Sequence, residues 1–346
     1  MRKSTTFMAL MTLLAGASAA AQTQIKIATL APENSRWMKE FRDGAAEIKA
    51  RTGGRVQLKY YAGGIQGAES KVLRKIQIGQ LHGGTFSPTD FQKQYPDLNL
   101  YGLPFVFRSE DEVRYVRARM DPILHEGIHD LGFVTFGFAS GGFAIVMSNE
   151  PVRSHADLKG KKVWLPEGDL ISYEAMKALQ LSPVSLPITD VLTGLQTGLI
   201  DIVVIPPVVA LALQWHTKVK YLTQMPVLFA MGFMAIRERA FDRLSEADQR
   251  VVAEVMTGIY ERVDAAAESE SRNATEALLN TGLTNVEPAP GEFERLRAMM
   301  RANNRRMAER GMYSAAFLEE MNAYLEDYRE AKSAGEADAD VVAGTP

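Results

Sequence analysis

DLKGKKVWLPEGD (residues 157–169), LQLSPVSLPITDVLTGLQTGLIDIVVIPP (179–207) and ALQWH (212–216) follow one another closely, and their order decides the fold. A lysine-rich turn leads into an apolar run around Trp164. Helical spacing follows, then a second short apolar run, a short helix over VLTGLQ, and a third apolar run that ends in Pro206 and Pro207. Strand, helix, strand, short helix, strand is one half of a doubly wound α/β lobe. Ligands of such lobes meet the carboxyl ends of the strands, so the residues standing there are the candidates for function.

Upstream, the same grammar recurs. IKIATLA (25–31) reads as a short alternating strand, and PENS (32–35) offers Asn34 or Ser35 as N-cap for a helix over 36–51. Thr52-Gly53-Gly54 stops that helix. RVQLKYYAGG (55–64) is a second strand, GAESKVLRKIQIGQ (67–80) a second helix, and LHGGTFSP (81–88) a third strand running into a loop. The β-α-β-α-β order predicts a parallel sheet. A loop-rich apolar segment (96–107) and a helix closed by Gly132 precede FVTFGFASGGFAIVMSN (133–149), which reads as two strands separated by a hinge at Ser140-Gly141-Gly142.

Downstream, VLFAMGFMAI (227–236) reads as a strand returning to the first lobe. Ser245, with Asp248 or Gln249 behind it, opens a helix running to about Leu279, long enough to lie across two lobes. Amphipathic helices follow over 293–310 and 314–331. With 346 residues, two lobes are expected. Residues 22–143 and 228–262 are assigned to the first, 144–227 and 263–332 to the second, and 333–346 to a disordered tail. The expected class is α/β, a two-lobed periplasmic-binding-protein fold, each lobe a mostly parallel sheet flanked by helices, with crossing strands and a long spanning helix.

Residues 1–21 carry a basic start, an apolar run from Phe7 to Ala15 and small residues up to Ala21, the three parts of a cleavable secretory signal. A run that short does not span a bilayer comfortably. The chain has no cysteine, which removes lipoprotein attachment, disulfides and thiolate metal sites together. A bacterial periplasm fits these features. Net charge is only −3 and no basic stretch tracks a phosphate backbone, which argues against nucleic acid as partner. No nucleophile elbow, P-loop, dinucleotide fingerprint or convincing carboxylate pair is present, so neither an enzyme nor a cofactor is expected. His125 and His129 have i,i+4 spacing without a third ligand, and read as a solvated helix face with no metal.

Taken in order, TGGRVQLKYYAGG (52–64) with GAESKVLRKIQIGQL (67–81), PDLNLYGLPFVFRSEDEV (96–113), PVRSHADLKGKKVWLP (151–166), and LTGLQTGLIDIVV (192–204) with KYLT (220–223) carry a resemblance over nearly the whole mature chain. The sequence resembles the solute-binding subunits of tripartite ATP-independent periplasmic (TRAP) transporters, the DctP-like family. The resemblance implies a two-lobed protein that closes around a small organic solute and delivers it to a membrane permease. Carboxylate-binding members usually carry an arginine on the strand after the DLKG turn, where a guanidinium fork meets the ligand. Here that position is Trp164. Two further polar anchors of the family fall on Ala144 and, roughly, on Ile205. The WLPEGD and ALQWH variants look like a subgroup that accepts apolar or amphiphilic ligands, some members with a tetratricopeptide partner protein. A carboxylate buried without a partner costs several kcal/mol, so the expected ligand moves from a simple diacid to something more apolar.

The candidate ligand-binding residues are Trp37, Glu69, Phe86, Ser87, Phe143, Trp164, Glu167, Asp169, Ile205, Pro207 and Trp215. Each has a structural alternative. Trp164 reads as a clamp able to stack and donate one hydrogen bond, or as a core residue. Glu167 and Asp169 contact ligand or merely cap the next helix, and Glu69 does the same for the second helix. Phe86 and Ser87 stand at the end of the third strand, Trp37 in the first turn of the first helix, and Trp215 beside a short helix, each with plain packing as the alternative. Arg36 is the one alternative cation for an acidic ligand.

Overall fold

The computed structural model describes residues 22–335; the expected signal segment and residues 336–346 lie outside it. The strands are β1 (Thr23–Ala28), β2 (Val56–Tyr61), β3 (Gly83–Phe86), β4 (Phe133–Ser148), β5 (Lys162–Pro166), β6 (Ser182–Leu186), β7 (Ile202–Ile205), β8 (Tyr221–Arg237) and β9 (Thr284–Val286). The helices are α1 (Arg36–Arg51), α2 (Glu69–Gln77), α3 (Glu110–Asp130), α4 (His155–Leu158), α5 (Leu170–Ala178), α6 (Val191–Gln196), α7 (Pro207–Ala212), α8 (Glu238–Phe241), α9 (Glu246–Asn280), α10 (Glu292–Glu309) and α11 (Ala315–Ser333).

All nine strands share one sheet in the order β2-β1-β3-β8-β4-β7-β5-β6, with β9 beside β8. β1 pairs parallel with β2 and β3, and β5 pairs parallel with β6 and β7. Each half therefore holds the parallel triplet that its β-α-β sequence predicts. Between the triplets, β4 and β8 run antiparallel to each other, and each is antiparallel to its neighbouring triplet. The result is a mixed sheet in a two-lobed α/β fold. β4 has 16 residues and β8 has 17, so each extends about 50 Å at the usual rise per residue. They are long enough to belong to both halves.

The hinge expected at Ser140-Gly141-Gly142 is not a break between two strands. β4 is continuous, and its register against β8 shifts between Ser140 and Gly142, and again between Ala144 and Val146. Bulges of this kind bend a strand without ending it. Gly142 has φ +82°, and a Cβ there would lie 3.1 Å from Ser271 Oγ on α9. Its amide donates to Ser140 Oγ, and the Ser140 amide donates to Asp264 Oδ1 of α9 at 2.7 Å. Arg117 of α3 donates to the same Asp264 oxygen at 2.7 Å and to the Phe138 carbonyl at 2.9 Å. Two helices thus grip the bulged ribbon where it passes between halves.

Helix α9 opens where expected, the Ser245 hydroxyl accepting from the Asp248 amide. Its 35 residues extend about 52 Å. Val252, Val255, Met256, Ile259 and Val263 pack into the core around Ile25, Ile27 and Phe41, whereas Leu278 packs into the core around Trp164, Val203 and Trp215. One helix therefore contributes to the cores of both halves. α1 is capped by Ser35, whose hydroxyl accepts from the Met38 amide. At the other end, Ser333, the first residue of the expected tail, is the last residue of α11, and the tail from 336 onward lies outside the described residues.

Candidate functional site

The carboxyl ends of β3, β5, β6 and β7 converge on a cavity of about 250 Å³. One half contributes the start of α2 (Ala68, Glu69, Ser70), the turn after β3 (Ser87, Pro88, Thr89, Asp90), Asn99 and Gly102. The other contributes Trp164 to Glu167 and Asp169 from β5 and its loop, Ile171, Ser172 and Met176 from α5, Pro187 and Ile188 after β6, and Val204 to Pro206 at the end of β7. The crossing strands supply the floor, Ala144 from β4 and Leu228 to Met231 from β8. Parallel strands with helices at their carboxyl ends produce such a crevice by topology alone.

Trp164 is 3% exposed. Its Nε1 donates to the Leu186 carbonyl at 3.0 Å. The indole therefore offers a ligand an apolar surface and no hydrogen bond, contrary to the donor role its position suggested. Ile205, Val204, Leu228 and Met231 extend the apolar wall.

The charged part of the lining is acidic. Asp169 Oδ1 accepts from the Ser172 amide at 2.9 Å and so caps α5; burial raises its pKa against the pull of that bond and those from the Ser172 hydroxyl and Ile171 amide. Asp90 Oδ2 accepts from both the Ser87 amide and the Ser87 hydroxyl at 2.9 Å. Burial nevertheless raises it to about 6. Glu69 begins α2. Burial, and then the charge of Asp90, push it up to about 8. Both carboxyls touch some solvent yet are ringed by protein, and that confinement penalises their ionised forms. Among the lining residues there is no Lys, Arg or His.

The family of bacterial extracellular solute-binding proteins, family 7 (DctP), matches residues 27–310. The chain belongs to this family. A solute-binding protein of Verminephrobacter eiseniae is 28% identical over 240 residues, 68% of this chain and 70% of that relative. DctP7 of Bordetella pertussis, an extracytoplasmic solute receptor binding pyroglutamic acid, superposes with a TM-score of 0.80 at 20% identity, covering 87% of this chain and 99% of that one. A TRAP periplasmic solute-binding protein of Sulfurospirillum deleyianum with bound succinate gives a TM-score of 0.81 at 19% identity, covering 88% and 99%. These two share the fold.

Within this DctP-family fold, six of the eleven candidate residues line one cavity: Glu69, Ser87, Trp164, Glu167, Asp169 and Ile205. Five do not. Phe143 neighbours Ala144 on β4, and successive strand residues point to opposite faces; with Ala144 lining the cavity, Phe143 turns to Phe229, ring centroids 5.6 Å apart. Phe86 is enclosed by Phe91 and Phe233. Pro207 is the first residue of α7, and its neighbour Pro206 takes the lining place. Trp215 stands behind Trp164 instead of beside the ligand space. Trp37 packs with Phe41 and Tyr260 in the first core. Arg36 pairs with Glu270 and also lies outside the lining.

Sequence reasoning missed Asp90 and the stretch from Leu228 to Met231. Asp90 had a legible signal: Ser87-Pro88-Thr89-Asp90 has the spacing of a capping box, which the structure forms. The β8 residues had none, because an apolar run that floors a cavity reads like one that fills a core.

Proposed function

We propose that this protein is the periplasmic subunit of a TRAP-type transporter, capturing a small apolar or amphiphilic organic solute between its lobes and delivering it to the membrane permease. The carrying observation is a lining without any cationic side chain, in which Trp164 takes the position where the resemblance implies the arginine of carboxylate-binding members. A small carboxylate in this space would lose its hydration with no counter-charge to replace it. An apolar body loses nothing by leaving water and gains about 25 cal/mol per Å² of buried surface. Because lining groups come from both halves, a ligand favours the closed arrangement in which both touch it. Export to the periplasm by residues 1–21 belongs to this reading, as does a tetratricopeptide partner. Among the described residues no helix is long and apolar enough to cross a membrane.

Native mass spectrometry of protein purified from periplasm without refolding, followed by a thermal-shift series of dicarboxylates, long-chain acids and aromatic acids, tests the proposal. Micromolar binding of a dicarboxylate with no response to the apolar ligands would overturn it. A second reading keeps a small carboxylate held by a clamp other than arginine, favoured by the pyroglutamate and succinate of the two structural relatives. Under that reading Trp164→Arg strengthens succinate binding on an existing site; under the first, the wild-type protein has no such site to strengthen.

A further inference from the structure

Two acids of the cavity, Asp90 and Asp169, occupy donors that would otherwise be open to an anion. At the turn after β3 the Ser87 amide and hydroxyl bond Asp90 Oδ2. At the start of α5 the Ser172 amide bonds Asp169. Helix starts and strand-end turns are ready anion sites only while their N–H groups are open. Here two such places, one in each half, are closed by carboxylates of the chain itself. The Glu69 carboxyl, Asp90 Oδ1 and the exposed Glu167 line the cavity with no hydrogen-bond partner elsewhere among the described residues, beside the hydroxyls of Ser70 and Thr89.

We infer that the solute carries a cationic head of ammonium type, seated against the Glu69 and Asp90 carboxyls with its apolar body along Trp164, Ile205 and Leu228. This rests on the reading of the cavity as the solute site and specifies the polar end of an amphiphilic ligand. The cavity defines the place; four acidic side chains with no Lys, Arg or His beside them define the charge it favours. An anion would meet four acidic side chains and no cation, and a neutral apolar molecule would leave their free oxygens without a partner. An ammonium supplies three donors and a positive charge. It also offsets the burial that raises Glu69 and Asp90, and the Asp90 charge that raises Glu69 further, with Glu167 and Asp169 the other titratable groups of the lining. Its arrival therefore drives a proton off the pair.

Calorimetry with hexylammonium, hexanoate and 1-hexanol, one apolar body with three heads, tests this on the mature protein. Hexylammonium should bind at least about tenfold tighter than either of the others. Its affinity should rise with pH up to about 8, as Glu69 ionises, with proton release seen as a dependence of the heat on buffer. Glu69→Gln should collapse the preference and the pH dependence, with Asp90→Asn as the second variant should the first fail to fold. Hexanoate or hexanol binding as tightly as hexylammonium overturns the cationic head and leaves an apolar solute standing. No heat from hexylammonium at millimolar concentration also overturns it. Succinate binding at micromolar affinity with silence from all three hexyl probes overturns the apolar reading beneath it.

Discussion

Trp164 and Trp215 pack edge to face, ring centroids 5.1 Å apart and planes at 83°. Trp215 is 1% exposed and touches no ligand space, yet it is the wall against which the cavity-lining indole rests. Trp215→Ala removes that support and leaves a hole in the core of Val191, Val203 and Leu222. The expected loss of stability is about 3 to 5 kcal/mol, with solute affinity falling in parallel because Trp164 loses its backing. Trp215→Phe should recover most of both. Urea unfolding and ligand titration of the two variants check this; unchanged affinity in a folded Trp215→Ala protein would show that Trp164 holds its place without help.

Reading Trp215 as lining rather than support illustrates where sequence stops being informative. The order of elements from β5 to β7, the Ser35 and Ser245 caps and the long α9 were legible because each depends on local periodicity and capping chemistry. The antiparallel crossing of β4 and β8 was not, since strand direction is fixed by partners far away in the chain. Side-chain parity failed for the same reason. A shift of one residue moves a strand side chain to the other face, which is the difference between Phe143 and the lining Ala144. Glu69, Glu167 and Asp169 all line the cavity, because helix starts and the loops at strand ends are carried into the crevice by topology.

Arg117 offers a test of how the halves are tied. Its guanidinium is mostly buried and bonds Asp121 at 3.0 Å, Asp264 at 2.7 Å and the Phe138 carbonyl. Asp264 in turn holds the bulge at Ser140. Arg117→Met strands two carboxylates and should cost about 3 to 5 kcal/mol. Acid pH should soften the loss, because protonation removes the stranded charges. Denaturant unfolding at neutral and acid pH measures it, and an equal loss at both would mean that packing, not charge, dominates.

Gly142 is a second point on the same ribbon. Its φ of +82° suits glycine, and the space above it is limited by Ser271 on α9. Gly142→Ala should cost about 1 to 2 kcal/mol from left-handed strain. Ser271→Ala in the same chain relieves the contact but not the backbone, so the double variant should regain only a minor part. Full recovery in the double variant would assign the cost to crowding instead of to φ. Thermal unfolding of the two single variants and the double variant distinguishes these outcomes.

The Glu69 and Asp90 pair makes stability depend on pH in a direction opposite to that of salt-bridged acids. Burial holds Glu69 at about 8 and Asp90 at about 6, above their ordinary values of 4.5 and 3.8. The folded protein therefore keeps protons that the unfolded chain releases. Their contribution is fully present below the unfolded values and is lost as pH rises through about 6 and then about 8. Glu69→Gln fixes the neutral form. The variant should match the wild type at about pH 4 and exceed it by about 1 to 2 kcal/mol at about pH 9, a figure discounted because the carboxyl still meets water. Urea midpoints across this range measure the difference. Parallel curves for the two proteins would mean that Glu69 is ionised at neutral pH in the folded chain, and its raised pKa would have to be abandoned.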